Sequence, residues 1–208
     1  MAYVNSFADD VLGRPTSQTI SSVGTLATPS SGTITATHKA GGGLVGYSTF
    51  TLTSVLQNVV NGTEYQGTKL WTFPAGITAR VLQAYINIAQ TTTSDLATTL
   101  NASVTGAIAL GTATASSTTL SSTMANLVAS TAFTSSATIN VAGTAVEGYF
   151  DSNLDGSETL FIDTTSADSS IYLNTAYATT TDVDADATQT LTGTVTLTWL
   201  LCKTVRAL

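Results

Sequence analysis

Most of the residues that carry enzyme chemistry are scarce in this chain. Among 208 residues there are one histidine, one cysteine and six lysines plus arginines, and charged side chains make up only 9%. The single Cys202 cannot close an intrachain disulfide. Placed after Trp199-Leu200-Leu201 in an apolar stretch, it reads as a small buried hydrophobe. One histidine and one cysteine cannot supply a closed four-ligand zinc site. Any Ser-His-Asp or Cys-His mechanism would have to use His38. That residue lies in His38-Lys39-Ala40-Gly41-Gly42-Gly43, a connector-like stretch with no nucleophile motif, and reads as a solvated loop histidine. The glycine triple lacks the Gly-Lys-Ser/Thr order that aims a lysine at phosphate, so it reads as a linker.

Positive charge is short as well. Thirteen acidic residues against six basic ones give a formal charge of −7, which opposes binding to a nucleic-acid backbone. No segment reaches the ~20 apolar residues of a membrane helix. Met1 to Asp10 has neither a basic start nor an apolar core, so no secretory signal is expected. A chain made in a cytoplasm, with a thiol-poor and Ser/Thr-rich surface, fits a virion protein released by lysis. Neither nucleic acid nor membrane is expected as a partner, and a structural or binding role stands ahead of an enzymatic one.

What the chain does have is period-two alternation. From Gln189 to Trp199 the residues Leu191, Val195, Leu197 and Trp199 fall on one face and threonines on the other, which defines a half-buried strand. Threonine keeps the open face soluble without charge, and its β-branch suits a pleated backbone. Further strands are predicted at 47–60, 66–73, 77–88, 100–110, 137–146, 158–162, 170–177 and 188–204. In 77–88, Leu82, Ala84, Ile86 and Ile88 form the expected core face. Asn61-Gly62 and Pro74-Ala75-Gly76 supply turns. Only Thr118 to Val128 offers helical spacing, at Leu120, Met124, Leu127 and Val128. Short strands separated by polar turns, with no long amphipathic helices, predict an all-β chain. Its architecture is a β-sandwich or jelly roll forming a single domain over 47–208.

Residues 1–46 read as an irregular N-terminal arm with one short strand at 33–37, because Pro15, Pro29 and Gly41 to Gly43 interrupt longer elements. Tyr3, Val4, Phe7, Val11 and Leu12 make it apolar enough to dock on a partner, so an attachment role is expected.

Two loops carry candidate chemistry. Asp151, Asn153 and Asp155, with Gly156 for the turn, match the first half of a calcium loop, and Glu158 stands near enough to contribute. Position twelve is Ile162 where a bidentate glutamate is needed, so a polar hairpin loop competes with the calcium reading; no other cofactor is expected. Asp182, Asp184 and Asp186 are a sparser acidic run that reads as a solvated loop. Tyr65, Trp71, Tyr85, Tyr149, Tyr172 and Tyr177 would stack on sugar rings if several shared one surface, although their spacing is that of core and strand-edge positions.

The C-terminal part also resembles a family of small structural virion proteins from short-tailed bacteriophages. The residues that carry the likeness are Ile171-Tyr172-Leu173-Asn174, the acidic turn Asp182 to Asp186, and Leu191-Thr192-Gly193-Thr194-Val195-Thr196-Leu197-Thr198-Trp199. Phe73-Pro74-Ala75-Gly76 and Ala109-Leu110-Gly111-Thr112 resemble the earlier part of the same pattern. The resemblance implies a capsid decoration (cement) or minor capsid role, with the major capsid protein or other virion proteins as partners and no catalytic residues. Symmetric association, a trimer above all, is the expected way to cover sheet edges on a capsid lattice. A tail-associated receptor- or glycan-binding module is the alternative.

Overall fold

The threonine-alternating segment becomes the centre of a sheet. In the computed structural model, which describes residues 24–40, 45–75, 77–92, 105–134, 146–151, 161–163, 167–177, 183 and 186–204, β11 (Ala187–Thr204) runs antiparallel to β3 (Val45–Val59) on one side and to β5 (Ile77–Thr92) on the other. Leu191, Val195, Leu197 and Trp199 are buried, while Thr192 is exposed and Thr194, Thr196 and Thr198 are half-buried. The remaining strands are β1 (Thr25–Leu26), β2 (Thr33–Ala40), β4 (Tyr65–Phe73), β6 (Thr105–Gly111), β7 (Val128–Thr134), β8 (Val146–Asp151), β9 (Phe161–Asp163) and β10 (Ser169–Tyr177). One sheet has the order β1-β4-β10-β6-β7 and the other β2-β3-β11-β5-β8, with β9 sharing the outer edge of β5. The two antiparallel sheets pack face to face over Phe50, Leu52, Leu70, Phe73, Ile86, Ile108, Leu173 and Leu197. This is the all-β sandwich that the alternation predicts. Between Leu120 and Val128 the helical spacing yields only a single 3-10 turn, Ser122–Met124, and Val128 opens a strand instead.

Three of the bulges show how side chains are chosen for the core. On β3 the buried residues change from Phe50 and Leu52 to Val55, Gln57 and Val59, and the register with β11 slips between Leu191 and Gly193. At the slip Ser54 takes a φ of 51° and donates its backbone N–H to Thr192 Oγ1 at 3.2 Å. Gly193 lies opposite, at φ 148°, where an added Cβ would stand 2.1 Å from the Asn87 carbonyl oxygen, so only glycine fits. On β5 the parity changes at Leu82, opposite Thr198 and Trp199. Val81 is therefore in the core and Leu82 half-buried, which corrects the core face read from the alternation. A bulge turns a strand's alternation over without breaking the sheet. The third, at Leu70 of β4, lets Leu70 and Trp71 both point inward.

The boundary expected at residue 46 moves toward the N-terminus. Thr25 and Leu26 pair with Thr72 and Trp71, and all of β2 pairs with β3 from Thr33↔Thr53 to Ala40↔Gly46. Pro29 sits in the turn that carries the chain from one sheet to the other; it ends one short strand and leaves the next free to join. Residues 1–23, including Tyr3, Val4, Phe7, Val11 and Leu12, lie outside the described residues, as do Gly41 to Gly43. Of the strand predicted at 137–146 only Val146 is described, as the start of β8, and β7 lies earlier in the chain.

Packing also closes the sandwich unequally. On one side β7 lies against β8, so the outermost strands of the two sheets meet. Over the outer face of the five-stranded sheet lies the segment 112–127, sealed by Ala109, Ala115, Leu120 and Ala176. Buried Asn174 pins that segment: its Oδ1 accepts from Ala115 N–H at 2.9 Å, and its Nδ2 donates to the Ala113 and Met124 carbonyls at 2.9 and 2.7 Å. On the other side, among the described residues, a cleft opens between β1, β3 and β4.

Candidate functional site

Behind that open side, three glutamines break the apolar core. Gln57, Gln90 and Gln189 come from β3, β5 and β11 of one sheet and face Thr68, Thr175 and Tyr177 of β4 and β10 in the other. Tyr177 donates its hydroxyl to Gln189 Oε1 at 2.6 Å, and Gln90 Nε2 donates to that same oxygen at 2.6 Å and to the Tyr177 hydroxyl. Gln189 Nε2 donates to Gln57 Oε1 at 2.7 Å and to Thr175 Oγ1 at 2.8 Å. Thr175 donates onward to Gln57 Oε1 at 2.6 Å, and Gln57 Nε2 donates to Thr68 Oγ1 at 2.8 Å. Every member is neutral. Burial pushes the Tyr177 phenol well above its usual range, and the Gln90 bond offsets this only in part. Tyr177 is thus held as a hydrogen-bond donor and is unsuited to act as a base, and the network locks the two sheets in register.

The open mouth in front of this layer is a cleft of about 570 Å³. Gln57 and Thr68 form its floor, and Thr25, Thr28, Ser30, Asn58, Gln66 and Lys69 stand around it. Its origin is the early end of β1. After Ala27 donates its N–H to the Leu70 carbonyl at 3.0 Å, Thr28-Pro29 leads the chain away, since proline has no N–H with which to continue a ladder. Strand β4 runs on to Tyr65, so its outer edge from Tyr65 to Lys69 has no strand beside it among the described residues. Lys69, the one cation of the lining among the described residues, places its Nζ 5.8 Å over the Tyr172 ring of β10, on the outer face of β4.

His38 is not in a loop. It faces inward from β2, with its ring 5.0 Å from Trp71 and 6.1 Å from Phe50. Ser48 Oγ lies 2.9 Å from its Nδ1 and accepts the Trp199 indole N–H at 2.9 Å. The serine oxygen thus serves both the indole and the imidazole, and the ring's tautomer sets which of Nδ1 and the hydroxyl is the donor. Burial lowers the His38 pKa below the ordinary histidine value. Ser48 is 0% exposed, so no substrate can reach its oxygen, and the pair is a packing device.

The lowered pKa sets a pH dependence. The unfolded chain takes up a proton near pH 6.5 while the folded ring still resists it, so the contribution is present above that pH and is lost as pH falls through the folded value. Urea denaturation at about pH 7.5 and about pH 5.5 should show a smaller drop in stability for His38→Gln than for the parent. Equal drops in the two chains would mean that His38 is not held neutral.

Of the calcium-loop residues, Asp151 is the last residue of β8, opposite Gln83, while Asn153, Asp155 and Glu158 lie outside the described residues. Asp186 is exposed and accepts the Asn61 backbone N–H at 3.1 Å; Asp182 and Asp184 are not described. Among the described residues no three His, Cys, Asp or Glu side chains gather into a metal-sized group. Of the aromatics, Trp71 and Tyr177 are core residues at 2% and 1% exposure, while Tyr65, Tyr85 and Tyr172 are half-buried. Neither a scan of protein-family models nor a search of curated proteins finds a match to this chain.

Proposed function

We propose that the chain is a structural protein of a bacteriophage particle, a capsid decoration or minor capsid protein that stabilises the shell through protein contacts without catalysis. The observation that supports it most is the edge of β2, which has no strand beside it among the described residues. This strand is eight residues long, without proline or bulge, and Lys39 is its one cation. Such an edge invites lateral pairing unless a neighbour covers it, and assembly on a lattice covers it. The exposed Thr33, Thr35 and Thr37 on its outer face give a surface that is soluble before assembly and offers few flexible charged chains afterwards. Trimeric association at the local threefold positions of a capsid suits this reading, with the major capsid protein as the main partner. The polar cleft favours a second reading, a tail-associated module that binds a receptor or glycan.

Location on purified particles tests the two. Imaging or controlled stripping should find the chain over the whole capsid lattice, and restriction to the tail would transfer the proposal to receptor binding. Attachment itself is assigned to residues 1–23. Deleting them should leave the melting temperature of the remaining chain nearly unchanged, because every strand pairing among the described residues lies after them, and should abolish binding to particles. Full binding by the truncated chain would place attachment on the sandwich surface.

A further inference from the structure

We infer that the cleft beside β4 seats an extended acidic polypeptide segment, which adds to the free Tyr65–Lys69 edge as a further strand. The site belongs to the chain itself and does not depend on its place in a particle. Three observations converge on it. The first is the unfinished pairing of β4: β1 covers Thr72 and Trp71, Ala27 takes the Leu70 carbonyl, and among the described residues the edge then runs open for roughly 15 Å. A strand edge recognises backbone, whatever the side chains, and so selects an extended peptide before any other ligand.

The second is the chemistry of the wall. Hydroxyls of Thr25, Thr28 and Ser30 and amides of Asn58 and Gln66 surround the edge, suited to small polar side chains at alternate positions of an incoming strand. No aromatic ring lines the cleft, so the plate on which a sugar would stack is missing from it. The third is charge. Among the described residues Lys69 is the only charged residue of the lining and has no carboxylate partner; it is exposed on the outer face of β4, beside the open edge. An aspartate or glutamate on the added strand would complete the pair. Among the described residues the β2 edge is also unpaired, but it does not line this cleft, whose walls come from β1, β3 and β4.

The test uses the full-length chain and a fluorescein-labelled octapeptide of alternating threonine and aspartate, followed by anisotropy. Controls are the same peptide with lysine for aspartate and a version N-methylated at alternate amides. The aspartate peptide should bind, the lysine peptide should not, and methylation should abolish binding by removing the donors to the β4 edge. Lys69→Glu, an exposed substitution that leaves the fold intact, should weaken binding about fivefold, the most that one surface ion pair supplies. The proposal fails if nothing binds at millimolar peptide, or if a neutral oligosaccharide binds in place of the peptide. It fails equally if methylation has no effect, which would reduce the interaction to charge, or if Lys69→Glu has none, which would move it elsewhere.

Discussion

Trp199→Ala should destabilise the protein by about 3–5 kcal/mol, the range for truncating a large aromatic in a packed core. The side chain is 2% exposed and lies on Gly46 of the neighbouring strand, where a Cβ would come within 2.1 Å of the indole ring. Nothing on the Gly46 side can move in to fill the space, because that wall is backbone. The substitution also removes the indole N–H from Ser48 Oγ, the atom that holds His38. Trp199→Phe keeps most of the buried area and loses the hydrogen bond, so its cost should be clearly smaller. Urea unfolding of the three chains at neutral pH measures both. A loss below about 1 kcal/mol for the alanine variant would mean that the indole is not packed as described.

The strands that could be read from sequence are those whose alternation survives to their ends. In β11 the apolar positions 191, 195, 197 and 199 keep one parity throughout, and β4 and β10 are bounded by turn residues, so their limits shift by only a residue or so. The core face of β5 could not be read in the same way. A bulge at Leu82 depends on how β11 is registered beside it, and that pairing joins residues more than a hundred positions apart. Of β2 only the stretch 33–37 was legible as a strand, and its place in the sheet was not, because its inward positions are Ile34, Ala36 and His38, with a single strong hydrophobe among them. Pro29 and the glycine triple stood out instead, although they only frame the strand. The buried glutamine layer did leave a signal: Gln189 has the same parity as Leu191 and Trp199, so it had to face the core. Gln57 has that parity only after the Ser54 bulge, and no local pattern shows it. The cleft was illegible for a plainer reason, since it exists where β1 stops beside a strand about forty residues later in the sequence.

The glutamine layer yields the second large effect. Gln189→Leu should cost about 2–4 kcal/mol, although leucine is the more hydrophobic residue and the position is 0% exposed. The loss comes from the groups left behind. Tyr177 would lose the acceptor of its hydroxyl proton, Thr175 would keep Gln57 as its one remaining partner, and Gln57 would keep Thr68 and Thr175. Gln90 is only half-buried and can turn to water, so the orphaned phenol dominates the cost. This identifies a compensating change. Tyr177→Phe removes the stranded hydroxyl and keeps the ring against Phe133, 5.8 Å away in an edge-on contact. Each single substitution breaks the same hydrogen bond, so the double variant Gln189→Leu with Tyr177→Phe should lose less than the sum of the two single losses, by at least about 1 kcal/mol. A strictly additive result would show that the 2.6 Å bond contributes nothing to stability and that the layer is held by packing alone. A coupling of the expected sign would establish the bond as one of the contacts that fix the two sheets in their present register.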